Sequence, residues 1–415
     1  MKLRWKRLVV SVAVAWLIAV LGTSLSQHSS TYSGPQGHTW LSTLMPFEGV
    51  AFAQAPAQAR QVSEVAFKNI QVLKGIPVDE FMGTMGLFSA ALSVCCGDCH
   101  TGAGTDHPDW AADPPRKRVA RRMVEMVNTI NKTNFNGRQV VTCWTCHRGS
   151  QSPAVTPPLD TIYSTPVFVP PDVLPAANPA TAGTPPADQI LDKYLQALGG
   201  ANALSKLTSY TAKGTSMLFG EAKADPVEIS AKAPNQLAVL VHQREGDLAR
   251  TFDGQNAWVM LPLTVVGEYP LNASAREGAR LDAQLAFPGG LKQFFKTWKV
   301  SYPTSLCVAR DDNGQCSDNR DVYVLQGNEN GMLATFYFDA KTGLLDRVVH
   351  DASSAMGRVP TQIDYSDYRP VAGVMMPHKY TYGWVSGREE YVISQYQPNV
   401  PVDASKFAQP VQRKK

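Results

Sequence analysis

Two pentapeptides carry residue types that can do chemistry together. Cys96-Gly97-Asp98-Cys99-His100 and Cys143-Trp144-Thr145-Cys146-His147 both read C-x-x-C-H, and they hold four of the chain's seven cysteines. Two thiols three residues apart on a helical turn can form thioethers with the two vinyl groups of one haem, and the adjacent imidazole then falls on the iron. A zinc site made from the four thiols leaves both histidines without a purpose. The spacing therefore implies two covalently attached haems c, with Cys96, Cys99, Cys143 and Cys146 as attachment points and His100 and His147 as metal ligands.

Each iron then needs a second axial ligand. Met82 and Met85 precede the first motif, and Met123 and Met126 precede the second. A thioether favours reduced iron and leaves no position open for substrate, which suits electron transfer rather than an enzyme. A methionine stripe at helical spacing is also ordinary core packing. His107 is a rival ligand, although a loop position after Gly102-Ala103-Gly104 fits it better. Cys95, beside the first motif, is expected to be an unpaired packing cysteine, the alternative being competition with Cys96 during attachment.

The elements that must position these groups are helical: Val62 to Lys74, Val78 to Ser93 and Arg116 to Asn131. In the third, Val119, Met123, Met126, Val127 and Ile130 recur at helical spacing and are expected to face inward. Three such helices enclose little core for about 100 residues, so a large apolar cofactor is expected to supply the remainder. The basic run Arg116-Lys117-Arg118 with Arg121 and Arg122 reads as a solvated helix face, or as a patch for an acidic partner.

At this point the residues carry a resemblance. Asn69-Ile70-Gln71-Val72-Leu73-Lys74-Gly75-Ile76-Pro77, Met85-Gly86-Leu87-Phe88-Ser89, Met126-Val127-Asn128-Thr129-Ile130-Asn131 and Val141 through Gly149 resemble the cytochrome c subunit of photosynthetic reaction centres. The likeness covers roughly residues 62 to 153. It implies that a helix bearing the methionine ligand precedes each motif, which puts that role on Met85 and Met126, with Met82 and Met123 as fallbacks. That family typically carries four haems, whereas this chain has motifs for two, so it resembles a two-haem relative, photosynthetic or respiratory.

Around this segment the chain divides into further parts. Lys2, Arg4, Lys6 and Arg7 precede an apolar run from Leu8 to Leu21, so residues 1–53 read as an export signal, or as an uncleaved membrane anchor, with a spacer. The remainder is then extracytoplasmic, in the periplasm. Residues 54–150 form the di-haem domain. Residues 151–186 hold ten of the 29 prolines and read as a semi-rigid linker, across which few contacts are expected. In residues 187–410 a helix, Asp188 to Leu198, ends at Gly199-Gly200. Alternating segments follow at Val227–Ser230, Gln236–Val241, Ala257–Met260, Val322–Leu325, Ala334–Phe338 and Tyr391–Ile393, with one helical interruption from Leu281 to Trp298. Turns such as Asp253-Gly254, Lys341-Thr342-Gly343 and Ser386-Gly387 make these antiparallel hairpins.

The fold class is thus multidomain α + β: a helical di-haem cytochrome c domain, a proline-rich linker and an antiparallel half-barrel-like sheet with helices. Phe336 through Leu345, Asp364 through Arg369 and Met376-Pro377 resemble the half-barrel of outer-membrane lipoprotein-sorting carriers, which implies that lipid can occupy the concave face. His242, His350 and His378 read as structural, and Cys307 and Cys316 are expected to pair in an oxidising compartment. The 39 Lys+Arg against 35 Asp+Glu give no reason to expect nucleic acid as a partner. Redox donor and acceptor proteins are the expected partners. Two alternatives to electron transfer remain: a haem enzyme such as a peroxidase, and a lipid or lipoprotein carrier with accessory haems.

Overall fold

The computed structural model describes residues 61–153, 184–262, 264–311 and 316–412. The export segment, residues 1–53, and most of the proline-rich stretch lie outside the described residues, as does the Met1–Gln58 unit as a whole.

In the first part, α1 (Ser63–Ala66) is short, α2 runs Val78–Leu92, α3 runs Pro115–Asn134 and α4 is Cys143–His147. The helix expected over Val62 to Lys74 is corrected to one turn followed by a loop. Asn69, Leu73 and Gly75 adopt positive φ, at 58°, 61° and 76°. Side chains replace the helical bonds: Ser63 Oγ donates to the Leu73 carbonyl at 2.6 Å, and Glu64 accepts from the Gly75 N–H at 2.7 Å. Pro77 caps the start of α2, where Asp79 and Glu80 sit in the first turn, and a left-handed Ser93 ends it.

The second part opens with α5 (Ala187–Ala197) and α6 (Gly200–Lys206), separated at Gly199 and Gly200, both at positive φ. The strands β1 (Ser209–Leu218), β2 (Asp225–Lys232), β3 (Gln236–Gln243), β4 (Gly246–Phe252), β5 (Ala257–Met260) and β6 (Glu268–Leu271) form an antiparallel meander. Then come α7 (Ala273–Ala286), α8 (Leu291–Phe294), β7 (Trp298–Val300) and β8 (Thr304–Arg310). A second meander runs through β9 (Cys316–Glu329), β10 (Met332–Asp339), β11 (Leu345–Ser354), β12 (Gly357–Val371), β13 (Val374–Trp384) and β14 (Gly387–Pro398).

Pairing of β1 with β14 joins the two meanders, so that the described strands make one 14-stranded antiparallel sheet. The connection from β6 back to β7 carries α7 across one face, against β3, β4, β10 and β11. The single helix expected from Leu281 to Trp298 is therefore corrected to α7, a 3-10 turn at Pro288–Gly290, α8 and β7. Pro288 disfavours helical backbone at Phe287, which sits at φ −134°, ψ 72°. Cys307 and Cys316 are joined by a disulfide between β8 and β9.

One core sits where α5, α7 and α8 cover the second meander, with Leu191, Tyr194, Leu281, Phe294, Phe336 and Phe338 buried together. Another lies under the first meander around Tyr210, Ile229, Val241, Leu248 and Tyr391. A third joins the two parts: Leu87 of α2 and Val124 and Val127 of α3 bury against Met356 of the β11–β12 hairpin. The expectation that few contacts cross the proline-rich stretch is corrected by this cluster. Gln139 Nε2 also donates to the carbonyls of Ser354 and Ala355, at 3.2 and 2.8 Å. A linker separates its flanking segments along the chain but does not keep complementary apolar faces apart in space.

Candidate functional site

The first C-x-x-C-H forms a 3-10 turn at Cys96–Asp98. Asp98 organises it, accepting the Cys95 N–H at 2.9 Å on one carboxylate oxygen and Arg116 Nη1 at 2.7 Å on the other. The Cys95 N–H, then its thiol, then Arg116 hold this carboxyl below its ordinary value. Cys95 itself is exposed, so the packing role expected of it is corrected to that of a cap on the turn.

The His100 N–H donates to the Cys96 carbonyl at 2.8 Å, which closes the loop that sets thiols and imidazole side by side. The His100 ring leans on Trp110, 5.2 Å between centroids, and its Nδ1 is buried without a partner among the described residues. Burial, followed by the charge of Lys117, lowers its pKa and favours the neutral ring, the form that can bind a metal.

The second motif is α4 itself. Thr142 and Thr145 cap one another's backbone, with Thr142 N–H to Thr145 Oγ1 at 3.0 Å and Thr145 N–H to the Thr142 carbonyl at 3.2 Å. Arg148 and Gly149 then turn through left-handed backbone, at φ 50° and 83°, and the Gly149 N–H bonds the Ala91 carbonyl at the end of α2 at 2.9 Å. His147 Nδ1 lies 3.0 Å from the Ser150 carbonyl. A ring proton held there leaves the Nε2 lone pair for a metal.

A residue without an expected role holds this motif to α3. Asn131, nearly buried, donates Nδ2 to the Val141 carbonyl at 2.7 Å and accepts the Val140 and Val141 N–H groups on Oδ1 at 3.1 and 2.9 Å. Its signal in the sequence was a polar side chain four residues after Val127, in line with the apolar stripe of α3.

The methionines separate by helix face. On α2, Asp79, Met82, Gly83 and Gly86 recur at i, i+3, i+4 and i+7 and line a cavity of the sheet. At about 100° per residue, Met85 projects roughly 110° from that stripe. On α3 the buried face is Val124, Val127 and Asn131, so of the expected inward stripe Val127 faces in, Met123 and Ile130 are half-buried, and the expectation for Val119 and Met126 is corrected. Val119 and Met126, both 44% exposed, lie outside it. Val140, just before the second motif, and Trp144 within it are exposed to a similar degree, at 49% and 50%. His107 is exposed on its loop.

These features fit a haem: four free thiols, one orphaned buried ring nitrogen, a second ring nitrogen set free by its neighbour, and exposed apolar side chains that a porphyrin would cover. Among the described residues no group of three or more His, Cys, Asp or Glu side chains is gathered around a bare metal site.

The second feature is the cavity, about 450 Å3, in the sheet face that α7 crosses. Tyrosine, tryptophan and aliphatic side chains dominate its lining; Arg250, the Asp282–His350 pair (3.1 Å), Asp79 and Glu80 are among its polar groups. Arg250 stacks over Tyr382, 4.2 Å from the ring centroid, and pairs through Nη2 with the fully buried Glu389 at 3.3 Å and with Tyr391. His242 pairs with Asp247 at 3.0 Å, and His378 Nδ1 lies 3.1 Å from the Met376 carbonyl.

Paired C-x-x-C-H turns lie beside methionine-bearing helices, next to a large open antiparallel sheet. Residues 43–164 match the family model of the photosynthetic reaction centre cytochrome C subunit. The photosynthetic reaction center cytochrome c subunit of Thermochromatium tepidum is 36% identical over 104 residues, 24% of this chain and 24% of that protein. The corresponding subunit of Rubrivivax gelatinosus is 35% identical over 91 residues, 21% of this chain and 24% of its own. The chain thus spans about a quarter of the length of these relatives.

Among solved structures, a LolA superfamily protein from Nitrosomonas europaea is 15% identical, with a TM-score of 0.34 over 54% of this chain and 97% of its own. A DUF1329 family protein from Desulfovibrio piger is 11% identical, with a TM-score of 0.35 over 54% and 98%. The resemblance expected from the residues to reaction centre cytochrome c subunits is found over residues 43–164.

Proposed function

We propose that the chain is an exported electron carrier with two haems c, attached at Cys96 and Cys99 and at Cys143 and Cys146, with His100 and His147 as proximal ligands and Met85 and Met126 as distal ones. The observation that carries this reading is the pair of C-x-x-C-H turns, each closed by its own capping bonds and each presenting a histidine whose ring is prepared for a metal. Covalently bound haem supplies one-electron redox chemistry.

The protein's own contribution is positional. Asp98 and Arg116 hold the first turn, Asn131 and Gly149 hold the second between α3 and α2, and the Ser150 carbonyl orients His147. Redox proteins on the extracytoplasmic side are the donor and acceptor this reading implies, and the basic N-terminal face of α3, with Arg118 and Arg122, is a surface suited to an acidic one.

The test is intact mass after expression in a host competent in haem attachment. Two haem additions are expected, and one for Cys99→Ala. Fewer than two on the unaltered chain overturns the reading. Cyanide or carbon monoxide binding by the reduced or oxidised protein would instead favour a haem enzyme, because a histidine and a methionine leave no open position.

A second reading concerns the sheet. The cavity is apolar, falls in the size range of small-molecule sites and has a cation at its wall, which favours an acyl chain with an acceptor head group as its occupant. Among the described residues the bonds of Arg250 to Glu389 and Tyr391 both use Nη2, which leaves Nη1 and Nε to meet a carboxylate or ester oxygen. Co-purified lipid, identified by mass spectrometry and lost in Arg250→Ala, is the expected result. A cavity that takes up no fatty acid would remove this reading and leave the first intact.

A further inference from the structure

Helix α2 belongs to both sites. Its Asp79, Met82, Gly83 and Gly86 form one wall of the cavity, and Met85 projects from another face of the same 15-residue helix. The wall is closely fitted. A Cβ on Gly86 would meet Val385 Cγ2 at 2.7 Å, and one on Gly83 would meet Val359 Cγ2 at 3.3 Å, so glycine is what lets α2 lie this near β12 and the β13–β14 turn.

The first turn of α2 is tied down as well. Asp79, mostly buried, accepts the Asn272 backbone N–H at 2.7 Å and its Nδ2 at 3.1 Å, at the residue that precedes α7. From there α7 lines the cavity with Ala279, Asp282 and Leu285. Met82 of α2 and these α7 residues thus line the same cavity.

We propose that an acyl chain in this cavity is coupled through α2 to the haem ligated by Met85, a coupling that rests on both readings above. A helix moves as a hydrogen-bonded unit, so contact at Met82 is felt at Met85 less than one turn away. An occupant that braces α2 against the sheet keeps the thioether at its iron, and thioether ligation favours the reduced state. Occupancy then raises the midpoint potential of that haem. By linkage, the reduced protein must bind the acyl chain more tightly than the oxidised one by the same free energy, and a tenfold ratio corresponds to about 59 mV for one electron.

The experiment uses the full chain with both haems attached, with palmitate as the probe. Redox titration with and without saturating palmitate should raise one midpoint and leave the other in place. Palmitate affinity, measured separately on fully reduced and fully oxidised protein, should differ by the factor which that shift demands. Palmitate that binds without moving either midpoint overturns the coupling while leaving the cavity reading intact. A chain that carries no haem overturns the coupling together with the electron-transfer reading.

A pair of variants checks the route. Gly86→Ala should lower the same midpoint and weaken palmitate binding, and adding Val385→Ala should restore both by making room for the new methyl group. Should Gly86→Ala misfold, Gly83→Ala is the milder intrusion and carries the same expectation. A folded, two-haem glycine variant with unchanged midpoints and unchanged palmitate affinity would show that α2 is not the link.

Discussion

The bond from His147 to the Ser150 carbonyl and the orphaned Nδ1 of His100 present two different routes to a metal-ready imidazole, one by an oriented tautomer and one by burial. The distal side is where a residue change is most informative. Replacing Met85 or Met126 with histidine should lower one midpoint each, because imidazole supports oxidised iron better than a thioether does. Potentiometric titration reads this directly, and an unmoved midpoint would assign the altered methionine to packing.

Another residue-scale prediction lies far from the motifs. Asp346 is buried beside Arg320, at 2.7 Å, with its Oδ2 lacking a partner among the described residues, and burial pushes its carboxyl up to about 6. A carboxyl whose folded value is raised binds more protons in the folded than in the unfolded state between its unfolded value and about 6. Stability contributed by the neutral form is thus present at low pH and lost as pH rises through that window. Asp346→Asn should gain stability relative to the parent chain on going from pH 4 to pH 7, by roughly 1–3 kcal/mol, read from denaturant unfolding at both pH values. A difference independent of pH would show that folding does not shift the Asp346 carboxyl.

At the scale of elements, α2 and α3 were legible from spacing, because Pro77 and Pro114-Pro115 mark their starts and apolar residues recur along them. Which face of α3 turns inward was not legible. Val119 and Met126 flank Val127 in sequence as convincingly as Val124 does, and only the position of Met356 and Leu87 decides which neighbours of Val127 turn inward with it.

Asn131 shows a similar limit, since the three backbone groups it satisfies lie nine or ten residues further along the chain. Asn131→Ala leaves those groups unpaired in a nearly buried place and should cost roughly 1–3 kcal/mol. Chemical denaturation of the two-haem protein checks this, and an unchanged midpoint of unfolding would mean that water replaces the side chain. The loop after α1 failed as a helix for the same kind of reason: Ser63 and Glu64 bond backbone groups ten and eleven residues away in preference to their own turn.

At the scale of the molecule, the helices and the sheet share a core through Leu87, Val124, Val127 and Met356, and α2 walls the cavity. Separation of the two therefore exposes apolar surface on each. The sheet part expressed alone, residues 187–415, should unfold at lower temperature than it does in the intact chain and should bind more of a dye such as anilinonaphthalene sulfonate. Calorimetry of the fragment against the whole protein is the measurement. Equal melting temperatures would mean that the interface contributes little to stability.

The two C-x-x-C-H motifs, the methionine-bearing helices and the run of hairpins are local patterns, set by spacing and by turn residues, so the sequence alone determined them. The joining of β1 to β14, the clamp by Asn131, the cavity and the use of α2 as its wall were decided only in the tertiary structure. Each depends on groups distant in the chain meeting in space, and two apolar faces that fit one another leave no mark in sequence beyond being apolar.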